Sequence, residues 1–174
     1  IILILILAGE IIFGLPFHTL RFFRASFLET FALNNTQLGD TFAVYGIMAM
    51  LAYFPGGALA DRVSPRKLMS LSLFATAVGG IYYASIPSYL GIQLLFGYWG
   101  ITTILLFWAA MIKATREWGG EDNQGRAFGI LDGGRGLVAA ITSSIAVIIF
   151  SFSLPENSAD ITEAERQAGV QSVI

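Results

Sequence analysis

Five long apolar segments follow one another along this 174-residue chain, and they constrain its fold more than any other feature. Each has roughly the 20 residues that an α-helix needs to cross the hydrocarbon core of a bilayer. Hydrophobic residues make up 55% of the chain and charged residues only 13%, about half the charged share of a soluble domain. We therefore expect an all-α integral membrane protein that lies in the lipid bilayer.

The polar interruptions set the expected boundaries of the helices. We predict membrane-spanning helices over residues 1–31, 37–60, 68–86, 89–113 and 126–152. Asn34-Asn35-Thr36 separates the first two, and Thr36 is the expected N-cap of the second helix. The acidic tail over 154–174 is predicted to re-enter the membrane after Arg166. Because the chain begins and ends inside apolar runs, we expect it to be a piece of a longer protein.

The distribution of positive charge predicts the orientation in the membrane. The loop over 61–67 carries three basic residues, and the loop over 114–125 is flanked by Lys113 and Arg126 and contains Arg116. The opposite connections carry Arg166 among several acidic residues. Loops rich in Lys and Arg face the cytoplasm, so both basic loops are predicted to be cytoplasmic and the tail non-cytoplasmic.

Composition also excludes several kinds of chemistry. The chain has no Cys and one His, which removes thiolate sites, His-based metal clusters and the usual nucleophilic triads. Its net charge of −2 offers no basic surface for nucleic acid. We therefore expect no metal, no cofactor, no nucleic-acid partner and no enzyme activity. A membrane-embedded enzyme or sensor would need a set of polar catalytic residues, which the sequence lacks.

A dense polar motif lies at the end of the second apolar segment and in the loop after it. Its residues fit the pattern G-x-x-x-D-R-x-x-x-R-K and are Gly57, Asp61, Arg62, Arg66 and Lys67. Gly57 has no side chain, so another helix can pack closely there. Asp61 lies at the end of a helix, where the helix dipole disfavours a carboxylate. It therefore needs a cationic partner, for which Arg62, Arg116 and Arg126 are available. In the alternative interpretation, the basic residues only set the topology.

This motif, together with the five spans and the lengths of the loops, resembles the major facilitator superfamily. The resemblance implies the first five helices of a six-helix N-terminal half, with the sixth helix and the C-terminal half missing from this chain. It also implies secondary transport by alternating access, a cytoplasmic latch formed by the motif, and a bacterial cytoplasmic (inner) membrane location. Ser64-Pro65-Arg66 is similar to the organophosphate and organic-anion branches of the family.

Two arginines inside the apolar segments suggest an anion site. Arg21 lies about 15 Å from the predicted outer end of the first helix, and Arg135 about 14 Å from the inner end of the fifth. Both depths are near the midplane of a core about 30 Å thick. Guanidinium groups bind carboxylates and phosphates through paired hydrogen bonds. The glycerol-phosphate-type antiporters that the chain resembles use a first-helix arginine for this purpose. Alternatively, Arg21 and Arg24 reach the outer interface, and Arg135 pairs with Asp132.

Three further polar residues are candidates for coupling and binding. Glu10 lies about 20° from Arg21 around the helix axis, so both face one side. A carboxylate in an apolar surrounding can take up a proton, which makes Glu10 a proton-coupling candidate, with Asp132 as a second; Glu10 is otherwise a structural partner for a missing helix. His18 lies about 80° from Glu10 and either lines the edge of the cavity or forms a local hydrogen bond.

We therefore expect a transporter of a small organic anion such as a sugar acid, a carboxylate or a phosphate ester, coupled to protons or to a counter-anion. The alternative is a proton-coupled exporter of hydrophobic or cationic compounds that uses Glu10 and Asp132 as acidic recognition sites. The identity of the substrate, the coupling ion and the direction of transport do not follow from the sequence.

Overall fold

The computed structural model describes residues 1–152 and 168–169, and these residues form helices without any β-strand. The expected all-α fold is confirmed. The helices are α1 (Ile2–Phe22), α2 (Arg24–Thr30), α3 (Asn35–Arg62), α4 (Pro65–Ala84), α5 (Tyr89–Gly119) and α6 (Gln124–Phe152). Two of them contain a π-helical turn, α1 at Gly14–His18 and α5 at Thr102–Trp108. The predicted tail over 154–174 lies outside the described residues, apart from Ala168 and Gly169.

Four of the five predicted spans are supported by the structure. Within the described residues, α1, α3, α5 and α6 are long and apolar enough to cross a membrane. With 20 residues, α4 is long enough to cross about 30 Å at 1.5 Å per residue, but its composition does not place it in that group. A count of five spans therefore remains a prediction.

The first predicted helix, over 1–31, is two helices in the structure. The backbone leaves helical geometry at Phe23, where φ is −116° and ψ is 32°.

The N-cap of α3 is also different from the prediction. Asn34, not Thr36, is the N-cap of α3: its side chain accepts a hydrogen bond from the backbone N–H of Gln37, and the Gln37 side chain accepts one from the Asn34 N–H. This reciprocal capping box satisfies two N–H groups at once, whereas a cap at Thr36 would leave both unpaired.

Helices α4, α5 and α6 all extend further than predicted at the basic end of the bundle. Helix α5 continues to Gly119 and α6 already begins at Gln124, so the loop predicted over 114–125 shrinks to residues 120–123. Likewise α4 begins at Pro65 rather than residue 68, because proline is favourable in the first turn of a helix. The polar residues that suggested long loops are therefore mostly residues of terminal helical turns.

The bundle is organised around α5, which packs against α3, α4 and α1. Close contact between α3 and α5 depends on small residues, because a Cβ atom at Gly100 would lie 2.6 Å from the carbonyl oxygen of Tyr45. Polar side chains also join these helices inside the bundle. The Tyr45 hydroxyl lies 2.7 Å from Thr103 Oγ1, and Ser72 Oγ donates to the carbonyl of Thr102 at 2.6 Å. These contacts fix the π-helical turn of α5 and hence the position of Trp108 at its end.

Candidate functional site

Three polar side chains from α1 and α6 form a cluster inside the bundle. Glu10 is buried, with 6% of its surface exposed, and its two carboxylate oxygens have different partners. Oε1 lies 2.7 Å from His18 Nε2, and Oε2 lies 3.5 Å from Arg135 Nε. A buried carboxylate is costly unless it is paired, and these two contacts supply the partners. Glu10 thus links the middle of α1 to α6.

The contact between His18 and Glu10 depends on the π-helical turn at Gly14–His18. Pro16 lies inside this turn and lacks the N–H group that a regular helix would use there. A π-helical turn holds more residues per turn than an α-helix, so it rotates the following residues back around the axis. This rotation brings His18 towards the face of Glu10. His18 forms a local contact with Glu10 and also lines the cavity described below, so both of the roles considered for it are compatible with the structure.

Arg135 is held on three sides by residues of α1, α5 and α6. Its Nε donates to the carbonyl of Gly9 at 3.1 Å, and its Nη1 lies 3.6 Å from Asp132 Oδ1. The centre of the guanidinium lies 5.7 Å from the centroid of the Phe13 ring and 6.0 Å from that of Trp108. Aromatic rings at these distances attract a guanidinium through their negative faces. The predicted ion pair with Asp132 is therefore present, together with contacts that were not predicted.

A cavity of about 670 Å³ lies beside this cluster, between α1, α3 and α6. We call it the arginine cavity, and it is lined by all six charged or titratable residues proposed from the sequence for binding and coupling: Glu10, His18, Arg21, Arg24, Asp132 and Arg135. Glu10 and His18 also line a smaller, more apolar cavity of about 410 Å³ between α1, α4 and α6. The pair thus contributes to the walls of both.

The two arginines on either side of the break at Phe23, Arg21 in α1 and Arg24 in α2, differ in their contacts. Arg21 is exposed and forms neither an ion pair nor a hydrogen bond with any residue of 1–152 or 168–169. Arg24 is also exposed, but its Nη2 donates to Asn35 Oδ1 at 2.8 Å. Arg21 therefore offers the cavity an unengaged cation, whereas Arg24 is already engaged.

The equal depth of Arg21 and Arg135 stays a prediction, but the first helix, on which it was based, differs from the one predicted. That prediction assumed one continuous first helix to Phe31, but α1 ends at Phe22. Arg21 therefore lies in the last turn of α1, while Arg135 lies about 16 Å along α6 from Gln124. Both still line the arginine cavity, with Arg135 near the middle of its helix and Arg21 at the end of its own.

Three of the predicted gate residues line a second polar cavity of about 630 Å³ at the ends of α3 and α5. It is lined by Gly57, Asp61 and Arg116 among others. Arg62, Arg66, Lys67 and Arg126 are exposed near this end of the bundle. Within the described residues, the Asp61 carboxylate forms no ion pair with any of the three predicted partners. Instead Lys113 Nζ donates to the carbonyl of Ala60 at 2.9 Å and lies 3.5 Å from that of Asp61.

Among the described residues, α5 packs closely against the neighbour of Gly57 and not against Gly57 itself. A Cβ atom on Gly57 would meet nothing within 4 Å, whereas one on Gly56 would lie 3.2 Å from the carbonyl oxygens of Ile104 and Leu105. Consecutive helical residues point about 100° apart, so only one of two adjacent glycines can face α5. Among the described residues it is Gly56 that α5 approaches closely, and a close approach of another helix to Gly57 stays a prediction.

The residues around Arg135 that sequence reasoning missed are Gly9, Phe13 and Trp108. A weak signal was available for two of them, because Gly9 directly precedes Glu10, and Phe13 follows Gly9 by one helical turn on the same face. Trp108 had no such signal, since its contact with Arg135 depends on how α5 packs. Among the described residues, no group of three or more His, Cys, Asp or Glu side chains could hold a metal ion.

Comparisons with known proteins agree with this architecture. The family model described as Major Facilitator Superfamily matches residues 4–155. Inner membrane protein YihN of Escherichia coli (strain K12) is 31% identical over 149 residues, which cover 86% of this chain and 35% of that protein. Inner membrane protein YqcE of the same organism is 30% identical over 158 residues, or 88% of this chain and 36% of that protein. The chain therefore spans about a third of the length of these relatives. No solved structure matches the chain.

Proposed function

The chain belongs to the Major Facilitator Superfamily, and we propose that its protein is a secondary active transporter that moves a small organic anion across a membrane by alternating access. The observation that carries this proposal is the pair of arginines on the arginine cavity. Arg135 is anchored in the wall and Arg21 has no anionic partner among the described residues. A cavity with an unengaged cation and an oriented guanidinium is suited to a carboxylate or a phosphate group.

The substrate class that fits this cavity is a sugar acid, a carboxylate or a phosphate ester. A cavity of about 670 Å³ is within the usual size range of small-molecule sites. The remaining contacts would come from the C-terminal half, which we propose packs against the open side of this cavity. Such an arrangement places one substrate site between two halves that rock around it.

Glu10 is the proposed coupling residue. It is the buried carboxylate of the cavity and lies between a neutralising guanidinium and a histidine. Buried ionisable residues within membrane spans mark proton or substrate pathways by default. Uptake of a proton by the Glu10–His18 pair would add one positive charge beside Arg135 and would thereby raise the affinity of the cavity for an anion. Asp132, whose side chain is 71% exposed, is the second proposed coupling residue.

The basic loops are proposed to face the cytoplasm of a bacterium, with the protein in the inner membrane. This orientation follows from the positive-inside rule and is consistent with the names of the two Escherichia coli relatives. Gly57, Asp61, Arg62, Arg66 and Lys67, with Arg116 and Arg126, would then form the cytoplasmic gate. The carboxylate of Asp61, which has no ion-pair partner in the described part of the chain, supports a role in contacts that form with the other half.

An exporter of hydrophobic or cationic compounds is the second candidate. Glu10 and Asp132 supply two carboxylates to the same cavity, and the adjoining cavity of about 410 Å³ has a mostly apolar lining. Both carboxylates, however, lie within 4 Å of Arg135, so a cation bound by either one would be repelled by the guanidinium beside it. The arginine contacts therefore favour the anion.

Ligand-dependent stability of the full-length protein in detergent tests the choice. A ligand at one hundred times its dissociation constant adds about 2.7 kcal/mol of stability, which is readily measured. We expect stabilisation by organic anions that is lost in Arg135→Gln, while membrane insertion of that variant is unchanged. Stabilisation by cationic amphiphiles alone, unaffected by Arg135→Gln, would replace the anion transporter by the exporter.

A further inference from the structure

We infer that the arginine cavity selects a monocarboxylate over a phosphate ester, and that Gly9, Phe13 and Trp108 set this selectivity by holding Arg135 in one orientation. The inference rests on the proposed anion transport and narrows its substrate class. It follows from three features of the cluster: the direction of the free guanidinium edge, the negative charges beside it, and the space around Gly9.

The first feature is the way in which Arg135 is anchored. Its Nε hydrogen bond goes to the Gly9 carbonyl, and the rings of Phe13 and Trp108 lie near the guanidinium. Within the described chain, the two Nη groups donate no hydrogen bond, since the 3.6 Å contact with Asp132 exceeds hydrogen-bond distance. The backbone therefore occupies the Nε side and leaves the Nη1–Nη2 edge for a ligand. Two parallel N–H groups on one edge match the two oxygens of a carboxylate.

The second feature is the negative charge already present beside Arg135. The carboxylates of Glu10 and Asp132 lie 3.5 Å and 3.6 Å from its nitrogens. A second negative charge on the ligand adds attraction to Arg135 and repulsion from both carboxylates, so beside one guanidinium and two carboxylates a phosphate ester gains little over a monocarboxylate at the same place. Arg21 and Arg24 add positive charge at the far end of the cavity, but Arg24 is engaged with Asn35. The local charge thus gives a second negative charge on the ligand little advantage at the guanidinium.

The third feature is the lack of space at Gly9. A Cβ atom at this position would lie 2.8 Å from Met111 Sδ and 3.2 Å from Arg135 Cδ. Any larger residue must therefore displace Met111 Sδ and also shift the Arg135 side chain by a few tenths of an ångström. Trp108 is fixed independently, because it ends the π-helical turn that Thr103 and Ser72 tie to the rest of the bundle. Gly9 and the two rings are positioning residues, since they act through Arg135.

The test compares two anions with related sugar bodies on the full-length purified protein. Gluconate supplies one carboxylate and glucose 6-phosphate supplies a phosphate ester, and dissociation constants are obtained from ligand-dependent thermal stability. We expect gluconate to bind more tightly by about tenfold or more. Trp108→Leu and Gly9→Ala should weaken gluconate binding and bring the two affinities to within about twofold of each other. Trp108→Phe should keep the preference for gluconate because it retains an aromatic face. Trp118→Leu, outside the cavity, is the matched control and should change neither affinity.

Asp132→Asn provides a second, independent variant that tests charge instead of orientation. Its side chain is mostly exposed, so the substitution leaves the packing intact. We expect it to strengthen glucose 6-phosphate binding more than gluconate binding. If Trp108→Leu does not fold, the affinities of Asp132→Asn for the two anions test the selectivity instead. Equal or tighter binding of glucose 6-phosphate by the wild type, lost in Arg135→Gln, would overturn the selectivity and leave the proposed anion transport standing. Absence of any Arg135-dependent anion binding would overturn both.

Discussion

His18 Nε2 lies 2.7 Å from Glu10 Oε1, although eight residues separate the two along the same helix. In a regular α-helix those eight residues would rise about 12 Å and end about 80° away around the axis. The π-helical turn at Gly14–His18 reduces the angle between the two residues around the helix axis. A local deviation from helical geometry therefore creates the central polar contact of the arginine cavity.

This contact predicts the effect of losing the histidine. In His18→Phe the ring can still stack on Phe22, but the Glu10 carboxylate loses its hydrogen bond and is left to Arg135 alone. It should then compete with an anion for the guanidinium, and we expect anion affinity to fall about three- to tenfold. Dissociation constants from ligand-dependent thermal stability measure the loss.

The double variant Glu10→Gln/His18→Phe is the control for this interpretation. With the carboxylate removed there is no internal competitor, so the histidine substitution should no longer matter and affinity should return to that of Glu10→Gln alone. An equal loss with and without Glu10 would mean that His18 contacts the anion directly.

The contents of the cavity were more predictable from the sequence than its contacts. Charged residues inside apolar spans are costly, so Glu10, Arg21 and Arg135 stand out by position alone, and the structure does place them around one cavity. Their partners depend on helix phase and packing. A break at Phe23 and the turn at Gly14–His18 change that phase, and neither is visible in hydropathy or in 3.6-residue periodicity.

The packing of α3 on α5 predicts a strong difference between two glycines. In Gly100→Ala, the new methyl group would lie 2.6 Å from the Tyr45 carbonyl oxygen, so one helix must move. We expect a loss of about 1–3 kcal/mol of stability, measured by thermal unfolding in detergent. Gly133→Ala is the matched control, because a Cβ atom there meets nothing within 4 Å. Comparable destabilisation by both substitutions would contradict the close contact of α3 and α5.

Lys113 predicts a cost for removing the cap on α3. Its ammonium group donates to the carbonyl of Ala60 at 2.9 Å, near the end of the helix that carries the gate motif. Lys113→Met keeps the apolar stem and should cost about 1 kcal/mol of stability. Lys67→Met removes an exposed charge without a hydrogen bond to any described residue, and it should be within about 0.5 kcal/mol of the wild type. If the two variants are equally stable, the lysine does not cap α3 in the membrane.

Arg21 and Arg24 form a matched pair that tests which cation beside the break at Phe23 binds the anion. Arg21 has no partner among the described residues, whereas Arg24 donates to Asn35 Oδ1 at 2.8 Å. Arg21→Gln removes a cation that is available to the cavity, so anion affinity should fall about tenfold. Arg24→Gln should change affinity by less than about twofold, because that side chain already has a partner. Both substitutions remove one positive charge next to the break at Phe23, so a general electrostatic effect would weaken binding equally and would reject Arg21 as the specific ligand.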